Sequence, residues 1–230
     1  SEKKARDMFR ERGFKELQEC AIIGSEATFS NALPDRLQSA VNRLNKESSD
    51  YKEKKKAIDD EWKLTLSKMP YKDRPVNGDA SETGIVKFFQ PIEDIEVIRS
   101  KFQIGVQKDG AKSLVQFGSE HKFALKVVRS PTEDSEWCVY LKGAPERVWD
   151  KCSKILLGGK DAALDKTQFA KIEEANIYFA KNGQRVLGLA RYHLPKSQYP
   201  ADHKFDFKGF IDLDIRLDSM TFIGLLSLID

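Results

Sequence analysis

Tyr140-Leu-Lys-Gly-Ala-Pro-Glu-Arg147 decides how this chain folds. The apolar run Trp137-Cys-Val-Tyr-Leu141 predicts a strand that delivers Lys142 to a tight Gly-Ala-Pro turn. Pro145 then stands where a first helical residue belongs, because its missing N–H is one that a helix start leaves unpaired anyway. Strand, turn and helix start in immediate succession place one cation with a core-anchored stem, and several backbone amides, at one spot. Gly143 lets a ligand approach the main chain closely. Such a corner suits a flat, anionic ligand.

Upstream, short β-rich segments run over Leu114–Phe117, Lys122–Arg129 and Glu136–Leu141, with turn residues between them. Asp79-Ala-Ser-Glu82 has the spacing of a capping box and predicts a core helix after Gly78, broken or kinked at Pro91 and resumed to Ser100. Phe14–Phe29 carries apolar residues at near-helical spacing and reads as one buried helix. Asp35–Lys68 is rich in Lys, Glu, Asp and Gln, and reads as one or two amphipathic helices with a joint near Ser48-Ser49. Met69–Gly78, with two prolines and an Asn-Gly pair, is a loop. Downstream, a helix is expected over Glu146–Cys152 and another over Asp165–Asn182, closed by Asn182-Gly183. Gln184–Tyr192 reads as a strand, Pro195–Lys208 as a polar loop, and two further strand-like stretches finish the chain. Helices first, then hairpin-connected strands, predict an α+β fold: a largely antiparallel β-sheet covered by helices. Without a βαβ rhythm a Rossmann arrangement is disfavoured.

The 230 residues are enough for one domain with a real core. The expectation is a single domain over residues 1–230, with 35–77 as a charged helical insertion and loop within it. The 39 basic and 36 acidic residues nearly cancel, which argues against a nucleic-acid partner. Cys20, Cys138 and Cys152 have no paired spacing and read as reduced thiols, with no metal site among them. No apolar run approaches the ~20 residues that span a bilayer. The polar opening, Ser1–Arg12, and the abrupt end after the apolar Met220–Asp230 suggest a piece of a longer protein.

Five stretches in this order, Gly78-Asp-Ala-Ser-Glu82, Phe117-Gly-Ser-Glu-His-Lys122, Lys142-Gly-Ala-Pro-Glu-Arg147, Arg185-Val-Leu-Gly188 and Phe222–Asp230, resemble the nucleotide-binding domain of P-type cation-transporting ATPases. The likeness is strongest to the sodium/potassium-pump branch of the type II pumps. It runs from Gly78 to Asp230 and more faintly over Phe14–Phe29. The resemblance implies an ATP site. Phe117 takes the place of the aromatic that stacks on adenine, and Glu82 that of the carboxylate that accepts from the adenine amino group. Ser119 and Lys122 match polar positions near base and ribose. Lys142, with Gly143 and Ala144, matches the floor of the pocket, and Arg185 the phosphate contact. Each residue also has an ordinary reading: Glu82 as a cap, Phe117 as a strand-end core residue, Lys122 and Lys142 as strand lysines, Arg185 as a surface arginine.

Two positions depart from the family pattern, Ala124 where a polar residue is expected and Ala190 where a small thiol is common. The resemblance further implies Mg–ATP as the substrate of the parent pump. ATP or ADP, with the pump's phosphorylation and actuator domains, are the implied partners, and the implied location is the cytoplasmic side of an integral membrane protein. The chain contains no Asp-Lys-Thr-Gly-Thr run, whose aspartate takes the γ-phosphate in this family. The expectation is therefore a domain that holds ATP without a catalytic residue of its own, delivering the γ-phosphate to an aspartate elsewhere. The alternative is a non-catalytic module that uses 35–68 to bind an acidic partner or RNA. No P-loop or kinase catalytic-loop pattern is present.

Overall fold

The computed structural model describes residues 13–229. Its frame is the hairpin of β5 (Phe123–Arg129) and β6 (Trp137–Gly143), which pair from Phe123 opposite Gly143 to Arg129 opposite Trp137. On the other side of β6 lies β9 (Arg185–Leu194), then β10 (Met220–Leu228). Beyond β10 come β7 (Cys152–Leu157) and β8 (Lys160–Ala163). The short β3 (Gln103–Ile104) and β4 (Leu114–Val115) add to the free side of β5. Every pairing in this sheet is antiparallel except that of β10 with β7. A separate two-stranded ribbon joins β1 (Thr28–Phe29) to β2 (Val76–Asn77). The α+β fold with a largely antiparallel sheet is as the sequence predicts.

Strand alternation makes two cores, because successive side chains leave opposite faces. Trp137, Val139 and Leu141 of β6 face one core with Phe123, Leu125 and Val127 of β5. Cys138 and Tyr140 face the other with Val128. In β10 the parity changes. One extra residue lies between Phe222, opposite Ala190, and Gly224, opposite Leu189, so Phe222 and Leu225 share a face.

The first core is covered by α6 (Pro145–Trp149), α7 (Lys166–Lys181) and the loop before β10. The second is covered by α1 (Phe14–Ile23), α4 (Ala80–Phe89) and α5 (Ile95–Ser100). This second face carries the site. Among the described residues, no helix is long and apolar enough to cross a membrane. All three cysteines are free thiols.

Four expectations need correction. The helix from Phe14 stops at Ile23: the Gly24 N–H closes it on Cys20, and Thr28-Phe29 pairs as strand β1. The helix after Pro145 stops at Trp149, and Cys152 opens the β7–β8 hairpin, turned by Gly158 and Gly159 at φ 57° and 79°. Two glycines with positive φ suit the twist of a tight hairpin. The loop 195–208 is less polar than its composition: Phe205 and Phe207 are fully buried, held apart by the exposed Asp206. Only one strand, β10, ends the chain, because residues 209–219 are irregular although Ile215 and Leu217 are buried.

The charged region divides near the expected joint, into α2 (Asp35–Asn42) and α3 (Tyr51–Lys68). Leu66 is the one buried residue of α3, so this 18-residue helix is a largely solvated arm.

Candidate functional site

The predicted cap of α4 is half realised. Asp79 accepts from the Glu82 amide at 2.8 Å, which satisfies one of the N–H groups left open at a helix start. The Glu82 carboxylate does not reciprocate. Its Oε2 accepts from the backbone N–H of Glu26 at 2.9 Å, and its Oε1 accepts from Lys142 Nζ at 2.7 Å. Lys142 is an even-numbered position of β6, so it leaves the sheet on the α1–α4 face. There its ammonium also donates to Ser25 Oγ at 3.2 Å, and Ser25 is fixed by donating to the Ala21 carbonyl at 2.8 Å. The side chains of Lys142 and Glu82 are only 8% and 15% exposed. A cation and a carboxylate this deeply buried require each other: removing either strands the remaining charge.

Above this pair opens a cleft of about 330 Å³. Lys142, Gly143 and Ala124 belong to its sheet-derived wall, Asp79, Ser81 and Glu82 to the start of α4. Phe117 stands at the edge with 61% of its surface in solvent, an unusual cost for a phenyl ring in a fold with two full cores. Arg185 begins β9 after Gly183, whose φ is 71°, and donates to Ser81 Oγ at 3.0 Å. Gly143 has no room for a side chain: an added Cβ would stand 2.4 Å from the Lys122 carbonyl oxygen and from Phe123 Cβ.

Glu82, Phe117, Lys142, Gly143 and Arg185 therefore share one cleft. Ser119, Lys122 and Ala144 stand outside its lining. Ser119 and Lys122 are exposed in the turn between Phe117 and β5, where the Lys122 N–H donates to the Gly118 carbonyl at 2.8 Å. Lys122 holds a φ of 63°, and its carbonyl accepts from the Ala144 N–H at 2.9 Å. That turn amide, expected to be open for a ligand, is used to tie the two segments together.

Sequence reasoning missed Ser25, Glu26 and Lys126. Lys126 is two residues after Ala124 on the same face of β5, and pairs with Glu26 at the cleft. Burial pushes its ammonium below the ordinary lysine range, against the opposing pull of Glu26. Burial pulls the Glu26 carboxyl the other way, yet the hydrogen bond and charge of Lys126 outweigh it and hold that carboxyl below its ordinary value. A lone lysine inside Phe-Ala-Leu-Lys-Val-Val was the available signal for Lys126; Glu26, in a loop with no periodicity, had none.

The family described as P-type ATPase, cytoplasmic domain N, matches residues 63–230. The chain belongs to this family. Among its relatives, it is 33% identical over 172 residues to potassium-transporting ATPase alpha chain 2 of Oryctolagus cuniculus, a match covering 74% of this chain and 15% of the relative. It is 32% identical over 163 residues to sodium/potassium-transporting ATPase subunit alpha-3 of Gallus gallus, covering 70% of this chain and 15% of that protein. The N domain thus spans about 15% of the length of the curated relatives it matches.

Proposed function

We propose that this N domain binds ATP in the cleft between α4 and β6, and presents its γ-phosphate to an aspartate of another domain. The observation that carries the reading is the buried Lys142–Glu82 pair set beneath an exposed aromatic, with a guanidinium at the mouth. An adenine stacked on Phe117 gains about 1–3 kcal/mol, by the measure of bases on aromatic side chains. Each Glu82 oxygen has one recorded donor and keeps a lone pair for the exocyclic amino group, while Lys142 retains an N–H for a ring nitrogen. Arg185, whose planar fork suits phosphate oxygens, takes the proximal phosphates. Gly143 lines the cleft beside Lys142 and, having no side chain, lets the Lys122–Phe123 turn pack close against it. Ser119 and Lys122 belong to the turn carrying Phe117 and contribute to base and ribose contacts when that turn settles on the nucleotide; Ala144 anchors it through Lys122.

The whole protein is a cation-transporting P-type ATPase that takes Mg–ATP, with this domain on the cytoplasmic face of the membrane. Its phosphorylation and actuator domains are the partners, and the domain itself touches neither membrane nor nucleic acid. The cleft supplies binding and orientation, so binding energy is used to position the triphosphate rather than to break it.

Titration calorimetry tests this. ATP and ADP bind, GTP binds more weakly, and no steady phosphate release accompanies binding. Equal affinity for ATP and GTP, or turnover by the chain alone, contradicts the assignment. Salt-sensitive RNA binding that ATP leaves unchanged would instead favour a role for α2 and α3.

A further inference from the structure

The wall of the cleft holds a second cation–carboxylate pair besides Lys142–Glu82. Lys126 projects from β5 with its side chain 11% exposed and pairs with Glu26, whose side chain is 50% exposed. The two pairs are joined, because the Glu26 backbone N–H donates to Glu82 Oε2. Ala124 lies between the lysines: it is directly opposite Lys142 in the β5–β6 register and two residues before Lys126 on the same face. Its methyl group leaves open the space that a longer side chain would fill. The cleft therefore presents a small apolar patch flanked by two ammonium groups, each held by its own carboxylate.

We infer that Lys126, positioned by Glu26, is a second base-reading residue of this cleft and donates a hydrogen bond to a ring nitrogen of the bound purine. The inference rests on the proposed ATP site. An ammonium has three donors, and among the described residues the recorded acceptor for Lys126 is Glu26 alone. A purine over Ala124 offers ring-nitrogen acceptors at its edges, and a donor buried to this degree gains most from an acceptor that replaces lost water. Glu26 holds the ammonium in place before the ligand arrives, which lowers the ordering cost of binding. Lys126 and Glu26 also line a second recess of about 250 Å³ with Arg99 and Lys112, so the pair forms a partition between two spaces rather than a plug in a solid core.

The test is a coupling measurement. Calorimetry with ATP, 1-deaza-ATP, 3-deaza-ATP and 7-deaza-ATP is carried out on the parent chain, Lys126→Met and Glu26→Gln. The parent loses about tenfold with at least one analogue, the worth of one hydrogen bond to a charged donor. In Lys126→Met, ATP binds about tenfold more weakly and one of those analogue penalties vanishes; Glu26→Gln reduces that penalty without abolishing it. A role confined to packing would weaken every analogue alike and leave each penalty intact, and that result overturns the inference. If Lys126→Met does not fold, Lys126→Leu, which also lacks a donor, carries the same comparison. Failure of the parent to bind ATP would overturn the proposed function and this inference together. Parent-like penalties in a Lys126 variant overturn this inference alone.

Discussion

The floor and the rim of the cleft are built on opposite terms. At the floor, Lys142 and Glu82 are almost wholly buried and hold Ser25, Glu26 and the start of α4 in one network. At the rim, Phe117 is mostly exposed and Arg185 rests on Ser81 at the surface. On the proposed reading, the floor is committed before a nucleotide arrives, and its residues serve stability and binding together. The rim contributes little to the fold, and Phe117 turns most of its ring to solvent. This difference gives a way to separate binding energy from folding energy within one site.

The largest effect is expected at the floor. Lys142→Ala leaves Glu82 buried without its cation, and should lower unfolding free energy by about 3 kcal/mol in urea titration as well as abolish ATP binding. A variant as stable as the parent would show that the pair is solvated in solution and that floor and rim do not differ. At the rim, Phe117→Ala should change stability by no more than about 0.5 kcal/mol while weakening ATP and adenosine alike by about tenfold. An equal loss of stability would mean that Phe117 is a core residue after all. Arg185→Ala should weaken ATP by several-fold and leave adenosine unchanged, a contrast that calorimetry in low salt resolves.

The smallest effect lies away from the cleft. Burial, reinforced by Arg191, lowers the pKa of His193 below its ordinary 6.5. In the window between 6.5 and that lower folded value, the unfolded chain takes up a proton that the folded chain refuses. Stability should therefore fall as pH drops through this window. His193→Gln should flatten that part of a denaturation series while leaving ATP affinity untouched. A pH dependence that persists in His193→Gln would assign it to other groups.

The sequence was legible where a feature is local. Asp79-Ala-Ser-Glu82 announces the helix start, and the Lys142-Gly-Ala-Pro145 turn announces the candidate site, because both are set by neighbours within a few residues. Glu82 still went elsewhere: a partner 60 residues away in the chain outcompeted the return bond to its own helix. Glu26 and Lys126 meet only because the chain leaving α1 passes Lys142 of β6 and then reaches β5, a tertiary fact without a sequence period. The β7–β8 hairpin was marked by Gly158-Gly159, but the preceding helix pattern runs into it without a break. Phe205 and Phe207 alternate with charged residues, as in a half-buried strand, yet they pack as irregular chain. Composition identified that loop's exposed half and missed the half that covers the core.

The central claim is that one cleft, floored by Lys142 and Glu82 and rimmed by Phe117 and Arg185, holds the nucleotide. An amide chemical-shift titration with ATP tests it most directly. The account predicts saturable shifts concentrated at Glu82, Phe117, Lys142, Gly143 and Arg185, with those at Glu82 and Lys142 reproduced by adenosine. Shifts confined to α2 and α3, or a spectrum that ATP leaves unchanged, would contradict it.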